Sequence, residues 1–362
     1  MNPLEKHIIE QIGETSPLSI AQYMALALGH EEHGYYMNRD PFGADGDFIT
    51  APEISQMFGE LLGLWVAVVW QGMGSPTEIN LVELGPGRGT LMADMLRATM
   101  AAPGFGEAVR VHMVETSPAL KTQQQQALDG LDLAHDAAWH GAFDDVPEGP
   151  MMLIANEFFD ALPIEQYFRA GDYWCPRVVD VKPDGDGLCY VLLPPYDALE
   201  LPPGLIDAPP DSVVEVCPAG LDLIEKISRR ITAQGGVALI IDYGHGASGA
   251  GNTLQAVRDH QSHHPLIDPG EADLTAHVDF GALGQRIFAS GARALGVVNQ
   301  GTFLQRLGIR ERAQTLSAGA STEQVEDITE ALKRLTDGEE MGDLFKVMAI
   351  SSIDGPPPPG FE

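Results

Sequence analysis

The feature that most constrains the fold is a glycine-rich turn that directly follows a short apolar run. Residues 79–82 read Ile-Asn-Leu-Val, and residues 83–89 read Glu-Leu-Gly-Pro-Gly-Arg-Gly. A strand, a turn rich in glycine and a helix form the unit by which many α/β proteins hold nucleotide-like ligands. Glycines in such a turn let a ligand approach the bare backbone. The sequence therefore predicts an α/β fold with a ligand at the end of this strand.

Beyond residue 77 the pattern alternates between apolar runs of strand type and segments of helical type. Buried parallel strands joined by crossover helices are the simplest interpretation, which is a doubly wound, Rossmann-like α/β sheet. Apart from the strand before the glycines, strands are predicted at 110–115, 137–140, 151–156, 236–243 and 344–352.

The predicted domain organisation has two parts. Residues 1–76 are expected to form a helical region that covers the ligand pocket, with a loop rich in Gly and Asp at 34–50 and a helix from Ser16-Pro17 to about Leu28. Residues 77–362 are expected to form the Rossmann-like domain. Repeated Pro-Pro pairs indicate an insertion of short strands at about 166–218, and a polar helical insertion is expected at about 310–340.

Composition excludes several classes of partner. The chain has 21 basic and 52 acidic residues, a net charge of −31, which repels phosphate backbones and anionic lipid and disfavours nucleic acid as a partner. No apolar run approaches the ~20 residues of a membrane span. Three cysteines without CxxC spacing and an acidic first segment without an evident leader predict a cytoplasmic protein, with its oligomeric state left open.

The residues around the glycines discriminate among ligands. A loop that binds a nucleoside triphosphate ends in Gly-Lys-Ser/Thr, and this ending is absent here, so a P-loop NTPase is disfavoured. A dinucleotide turn would have a third glycine where Thr90 stands, and its pyrophosphate would face the carboxylate of Glu83. A carboxylate at that place suits the ammonium of S-adenosylmethionine (SAM), whose sulfonium is also cationic. SAM is therefore the predicted cofactor, held at Glu83, Gly85, Gly87 and Gly89.

Two further segments complete the predicted site. Glu115 ends the second strand, where it can accept ribose hydroxyls, a role that NAD and SAM proteins share. The fourth strand runs into Ile-Ala-Asn-Glu-Phe-Phe-Asp-Ala-Leu-Pro at 154–163. Asn156, Glu157 and Asp160 there would supply acceptors to the cofactor and substrate, with Phe158 and Phe159 as an apolar wall. The alternative is that both phenylalanines belong to the core and that an acid caps a following helix.

Long blocks of the chain resemble the MidA-like family of SAM-dependent methyltransferases. The blocks include GDFITAPEISQMFGELLG, ELGPGRGTLMADMLR, VETSPALKTQQ, ANEFFDALPIEQY, LIIDYGH and LFKVMAI. The resemblance implies a class I methyltransferase fold, a seven-stranded, mostly parallel sheet with a reversed last strand. It also implies SAM as cofactor and protein arginine as acceptor, since mitochondrial members are arginine methyltransferases that assist assembly of respiratory complex I. The missing leader suggests a bacterial-type relative.

An arginine acceptor would need carboxylates. Its guanidinium is protonated at neutral pH, and a carboxylate can hold it bidentately while a methyl group is transferred in line. Glu157 and Asp160 are the first candidates for this catalytic clamp. Asp242, with Tyr243 and His245, is the next, and Glu53 is the third.

Other interpretations remain open. The chain could bind SAM as an assembly factor without turnover, or methylate an acceptor other than arginine; a nicotinamide dehydrogenase is disfavoured by Glu83 and Thr90. No metal site is predicted, because the histidines and aspartates between 260 and 279 have irregular spacing and no HExxH pairing.

Overall fold

The computed structural model describes residues 1–38, 50–100, 102–195, 201, 204–353 and 357–362. Most of the predicted loop at 34–50 lies outside the described residues. The chain groups into two compact units. The first comprises Met1–Phe48, Phe159–Leu223 and His245–Leu283, and the second comprises Ile49–Phe158, Ile224–Gly244 and Gly284–Glu362. The predicted division at residues 76 and 77 stays a prediction, because compactness does not establish independent domains.

The second unit is built on a mixed sheet whose strands we label in chain order. They are β1 (Ile79–Leu84), β2 (Val109–Val114), β3 (Ala138–His140), β4 (Met151–Asn156), β5 (Gly236–His245), β6 (Arg293–Asn299) and β7 (Phe345–Ser351). Across the described sheet these strands follow the order β6-β7-β5-β4-β1-β2-β3. The strands from β5 to β3 in this order run parallel to one another, whereas β7 is antiparallel to both β5 and β6. The predicted α/β fold is thus confirmed at this level.

Burial explains which strands the sequence reveals. Strands β1 and β4 are buried at every position, and Leu81 and Ile154 are completely inaccessible. Strand β4 is accordingly a continuous apolar run up to Asn156, whereas the apolar residues of β1 are interrupted by Asn80 and Glu83. Strand β6 lies at the edge of the sheet, where Leu295 is its buried residue. Its apolar run, Ala-Leu-Gly-Val-Val, is short and interrupted by a glycine, and the sequence analysis does not predict this strand.

Close helix packing next to β1 depends on two glycines. The helix Gln56–Gly72 packs on the helix Thr90–Thr99. A Cβ on Gly59 would lie 2.4 Å from Cβ of Asp94, and one on Gly63 would lie 2.5 Å from the carbonyl oxygen of Met95. Ser55 caps the N-terminus of the long helix, because its side chain accepts the N–H of Met57. The helix Thr90–Thr99, which follows the glycine turn, is therefore packed closely against the long helix.

The remaining helices of the second unit are Ala51–Ile54, Phe105–Ala108, Pro118–Leu128, Gln300–Arg306, Ile309–Ser317, Thr322–Thr336 and Met341–Leu344, with a 3₁₀ turn at Phe143–Asp145. The helices Pro218–Gln234 and Phe280–Ala289 each begin in the first unit and end in the second. No helix in the described part of the chain is both long and apolar enough to cross a membrane.

The first unit combines helices with short antiparallel strands. Its second helix is capped by Ser19, which forms a capping box with Gln22, and not by Ser16 as predicted. Between residues 165 and 216 the described chain forms antiparallel strands, in agreement with the pattern expected there. The helices are Pro3–Glu14, Ile20–Gly29 and Tyr35–Asn38. The strands are Leu18–Ser19, Glu165–Ala170, Tyr173–Val181, Leu188–Leu192, Val213–Val216, Gln255–Arg258, Gln261–His263, Asp273–Thr275 and Val278–Asp279.

Candidate functional site

The turn between β1 and its following helix depends on glycine at several positions. The φ angles of Gly85, Gly87 and Gly89 are 59°, 52° and 84°, which L side chains rarely adopt. A Cβ on Gly85 would lie 2.7 Å from Cδ2 of Phe158, and a Cβ on Gly89 would lie 3.0 Å from Cα of Gln124. Both backbone conformation and space therefore require glycine at positions 85 and 89.

Glu83 supplies a buried carboxylate directly before this turn. The residue is 3% exposed, and the backbone N–H of Met92 donates a hydrogen bond to its carboxylate. Oε2 of Glu83 is buried and has no hydrogen-bond partner among the described residues. Burial raises the pKa of Glu83 to about 8, and a cationic ligand group would favour the ionised form. This orphaned oxygen fits the ammonium of SAM, because a buried carboxylate is costly unless a cation or donor meets it.

The carboxylate of Glu115 is anchored at the end of β2. Its Oε1 accepts the N–H groups of Thr116 at 2.7 Å and Ser117 at 2.8 Å, and its Oε2 accepts Nε2 of Gln124 at 3.1 Å. Burial raises the pKa of Glu115, and these hydrogen bonds oppose the shift. The carboxylate is therefore held in one orientation, which suits an acceptor of ribose hydroxyls.

Gln124 joins these two segments, although the sequence does not single it out. Its side-chain Nε2 also donates to the carbonyl oxygen of Gly87 at 2.8 Å, and its Oε1 accepts Nε1 of Trp139 at 2.8 Å. Leu120, Gln124 and Leu128 are the buried residues of their helix. The sequence signal that could have identified Gln124 is its place between Leu120 and Leu128, at the middle position of a stripe of buried residues with i, i+4, i+8 spacing.

The turn after β4 places polar groups by a strained backbone. Glu157 has a φ of 51°, which is uncommon for a residue other than glycine and is typical of functional sites. Its Oε1 accepts the N–H of Ala51 at 2.9 Å and Nδ2 of Asn156 at 3.2 Å. Oδ1 of Asn156 is buried and has no hydrogen-bond partner among the described residues. Asn156 and Glu157 thus lie at the carboxyl edge of the sheet that also carries the glycine turn.

Asp242, on the neighbouring strand β5, supports that turn. It is completely buried, its Oδ2 accepts the N–H of Phe158 at 3.1 Å, and its Oδ1 accepts the N–H of Tyr243 at 2.9 Å. Phe158 in turn lies against Gly85. The structure therefore brings Asp242 and Glu157 together, with the carboxylate of Asp242 bound to the backbone of the turn.

Asp160 belongs to the first unit, so the predicted pair Glu157 and Asp160 is divided between the two compact units. Asp160 is 6% exposed, and its carbonyl oxygen accepts the N–H of Ala276 at 2.9 Å. The hydroxyl of Tyr36 donates to Asp273, 2.9 Å from Oδ1 and 3.0 Å from Oδ2. Burial, Asp273 and Asp160 raise the pKa of the Tyr36 hydroxyl. Asp160 and Asp273 are therefore two buried acids of the first unit that both lie near the hydroxyl of Tyr36.

The other predicted candidates have separate surroundings. Glu53 lies at the glycine turn, where its Oε1 accepts Oγ1 of Thr90 at 2.6 Å and its Oε2 is 4.0 Å from Nη1 of Arg88. His245 lies in the first unit, with its Nδ1 2.8 Å from the carbonyl oxygen of Ala247. Among the described residues there is no cluster of three or more metal-ligating side chains.

Comparison with known proteins gives the class of this protein. Residues 61–298 match a family of S-adenosyl-L-methionine-dependent methyltransferases. The chain belongs to this family, which confirms the predicted enzyme class and the predicted cofactor.

The most similar relatives include mitochondrial protein arginine methyltransferases named NDUFAF7. The protein from Xenopus laevis is 37% identical over 96% of this chain and 84% of its own length. The Drosophila melanogaster homolog is 38% identical over 96% of this chain and 84% of its length. The human protein is 37% identical over 97% of this chain and 83% of its length.

Two crystal structures from Burkholderia thailandensis have the same fold. One, bound to S-adenosyl-homocysteine, has a TM-score of 0.86 and 27% identity, covering 99% of this chain and 92% of that chain. The other is a native structure with a TM-score of 0.82 and 26% identity, at the same coverage.

The prediction of a cytoplasmic location is wrong by this comparison, because these curated relatives are mitochondrial proteins. That prediction depended on the residues at the start of the chain. Those residues do not establish a location, since the relatives are longer than the aligned region.

Proposed function

We propose that this chain is a protein arginine methyltransferase. The observation that carries the proposal is the similarity to named protein arginine methyltransferases, 37% identity over 96% of this chain. The carboxylate-bearing turn after β4 supports it, because a protonated guanidinium requires a carboxylate partner. The class I assignment, with a seven-stranded, mostly parallel sheet, is supported by the direction of β7 against both its neighbours.

The cofactor would be held by Glu83, Gly85, Gly87, Gly89, Glu115 and Asn156. When bound, SAM supplies a methyl group on a sulfonium, which is already a good leaving group. Glu83 would face its ammonium with the orphaned Oε2, and Glu115 would accept the ribose hydroxyls. The glycines would admit the ligand to the backbone of the turn. These residues would bind SAM and orient its methyl group, and correct positioning is most of what an in-line methyl transfer requires.

Glu157 is the proposed acceptor carboxylate of the second unit. Hydrogen bonds from the neutral donors of Ala51 and Asn156 to Oε1 fix the orientation of its carboxylate. It can thus orient a guanidinium and concentrate electron density on one nitrogen. Asp242 is proposed to act through the backbone of the turn. Asp160 stays a candidate acceptor residue that has to be tested on its own.

The test is methyl transfer to arginine. The purified chain is incubated with methyl-labelled SAM and a protein extract, and labelled bands are hydrolysed and analysed for methylarginines. We expect labelled methylarginine with the wild-type chain and about 100- to 1,000-fold less of it with Glu157→Gln. Label on another amino acid would contradict arginine as the acceptor. Binding of SAM without any labelled protein would favour a SAM-binding assembly factor without turnover.

The acceptor protein is proposed from the family resemblance alone. That resemblance favours a subunit like those of respiratory complex I, whose methylation would aid its assembly. Mass spectrometry of the labelled band identifies the acceptor. A labelled protein unrelated to such subunits would contradict this part of the proposal and leave the arginine chemistry standing.

A further inference from the structure

We propose that Gln124 is a positioning residue for the nucleoside half of the cofactor. Its side chain holds the carboxylate of Glu115 and the carbonyl of Gly87 in one fixed arrangement. This inference rests on the proposed assignment of Glu115 and the glycine turn to the cofactor.

The hydrogen bonds of Gln124 use both ends of its amide. Its Nε2 donates to Gly87 and Glu115, and its Oε1 accepts Nε1 of Trp139. Gln124 is completely buried, so water cannot replace a lost partner. An amide is the only neutral side chain of this length that donates two hydrogen bonds and accepts another at its end. The sequence positions it joins are distant, since Gly87 is 37 residues away along the chain.

The backbone of Gln124 defines the same turn from a second direction. Its Cα would lie 3.0 Å from a Cβ on Gly89, so the helix Pro118–Leu128 packs directly against the glycine turn. Side chain and backbone thus fix two positions of the turn that belongs to the predicted cofactor site. A ligand that needs both Glu115 and the turn meets them already arranged, which reduces the cost of binding.

The electrostatics agree with this role. Burial raises the pKa of Glu115, and the side-chain hydrogen bond from Gln124 lowers it. The amide therefore helps to keep Glu115 ionised, the form that accepts both ribose hydroxyls.

The test uses two variants of Gln124 and a matched control. Gln124→Glu keeps the shape and the acceptor for Trp139 but removes both donors. Gln124→Met removes the hydrogen bonds and adds no charge. Gln126→Glu adds the same charge at an exposed position of the same helix. Two ligands are titrated calorimetrically: S-adenosylhomocysteine, and 5′-methylthioadenosine, which has the nucleoside but no ammonium.

We expect Gln124→Glu to weaken 5′-methylthioadenosine binding about 100-fold at about pH 8, and Gln124→Met to weaken it about 10-fold. Gln126→Glu should stay within about twofold of wild type, because exposed charges interact weakly. Lowering the pH to about 5.5 should partly restore the affinity of Gln124→Glu, since a protonated carboxyl donates one hydrogen bond. If the melting temperature of Gln124→Glu stays the same at both pH values while the affinity recovers, a merely structural role is excluded, because relief of a buried charge in the fold would raise both.

The melting temperature of each ligand-free variant shows whether it folds. If Gln124→Glu does not fold, Gln124→Met decides the question. Weakened nucleoside binding in a variant with a wild-type melting temperature supports the inference. Binding within about threefold of wild type in Gln124→Met, or in a folded Gln124→Glu without pH dependence, overturns it. A wild-type chain that binds both ligands but methylates no arginine contradicts the proposed function alone.

Discussion

Two turns at the carboxyl edge of the same sheet are built by different means. The turn after β1 relies on three glycines with positive φ, and its neighbouring polar groups at Glu115 and Gln124 are fixed by hydrogen bonds. The turn after β4 holds Glu157 at positive φ without a glycine and is supported by a completely buried Asp242. The first is suited to a ligand shared by many proteins. In the second, the strained backbone conformation of Glu157 places its carboxylate at the edge of the sheet.

The largest expected effect is the loss of methyl transfer, without loss of cofactor binding, when Glu157 in the second turn is changed. Glu157→Gln keeps an oxygen that can accept from Ala51 and removes the negative charge. We expect methyl transfer to fall about 100- to 1,000-fold, with S-adenosylhomocysteine affinity within about threefold of wild type. Rates and calorimetry on the same preparation check this. Glu148→Gln, an exposed acid, is the matched control, and unchanged turnover in Glu157→Gln would remove Glu157 from the clamp.

The next effect tests the first turn. Gly89 and Gly130 have φ angles of 84° and 86°, but only Gly89 has a crowded Cβ position. Gly89→Ala and Gly130→Ala therefore both force an alanine into a left-handed backbone conformation, but only Gly89→Ala also places a methyl group in occupied space. We expect SAM binding to weaken about 30- to 100-fold in Gly89→Ala and to change less than about threefold in Gly130→Ala. Equal effects in calorimetry would show that space at the turn does not matter.

The two turns also differ in how far the sequence predicts them. Glu83, the glycines and Glu115 are recognisable because their chemistry is local to one strand end and one turn. Gln124 is not, because its partners Gly87 and Trp139 are distant in sequence and its neighbours in the chain are also glutamines. The buried position of Gln124 follows from helix phase alone.

At the second turn the residue types are predictable and their roles are not. Asp242 has the charge expected of a clamp, yet its oxygens accept backbone N–H groups of Phe158 and Tyr243. Asp160 follows Glu157 by three residues, but it belongs to the other compact unit. Spacing along the chain does not determine such groupings, because they depend on where the turn directs the backbone.

The supporting role of Asp242 predicts a loss of stability. In Asp242→Asn one acceptor becomes an NH₂ group that faces a backbone donor, either Phe158 or Tyr243. We expect the free energy of unfolding to fall by about 1–3 kcal/mol, measured by urea denaturation. Asp144→Asn, at an exposed position, serves as the control. A stability equal to wild type would mean that the turn holds its shape without Asp242.

The smallest expected effect on ligand binding concerns the pH dependence of the first turn, which also affects stability. Burial raises the pKa of Glu83 to about 8, whereas a carboxyl in the unfolded chain titrates near its ordinary value. The unfolded chain therefore releases its proton first, and the free energy of unfolding should decline as pH rises from about 4.5 to 8. Glu83→Gln should lack that decline.

Ligand binding should show the opposite dependence, because the ammonium pairs with the ionised carboxylate. We expect the affinity for S-adenosylhomocysteine to fall about tenfold as pH is lowered from about 8 to 6.5, measured by calorimetry. The affinity for 5′-methylthioadenosine, which lacks the ammonium, should fall far less. Parallel profiles for the two ligands would assign the ammonium to another residue. A difference that disappears in Glu83→Gln would locate the cationic end of the cofactor at the first turn, leaving the second turn to the acceptor.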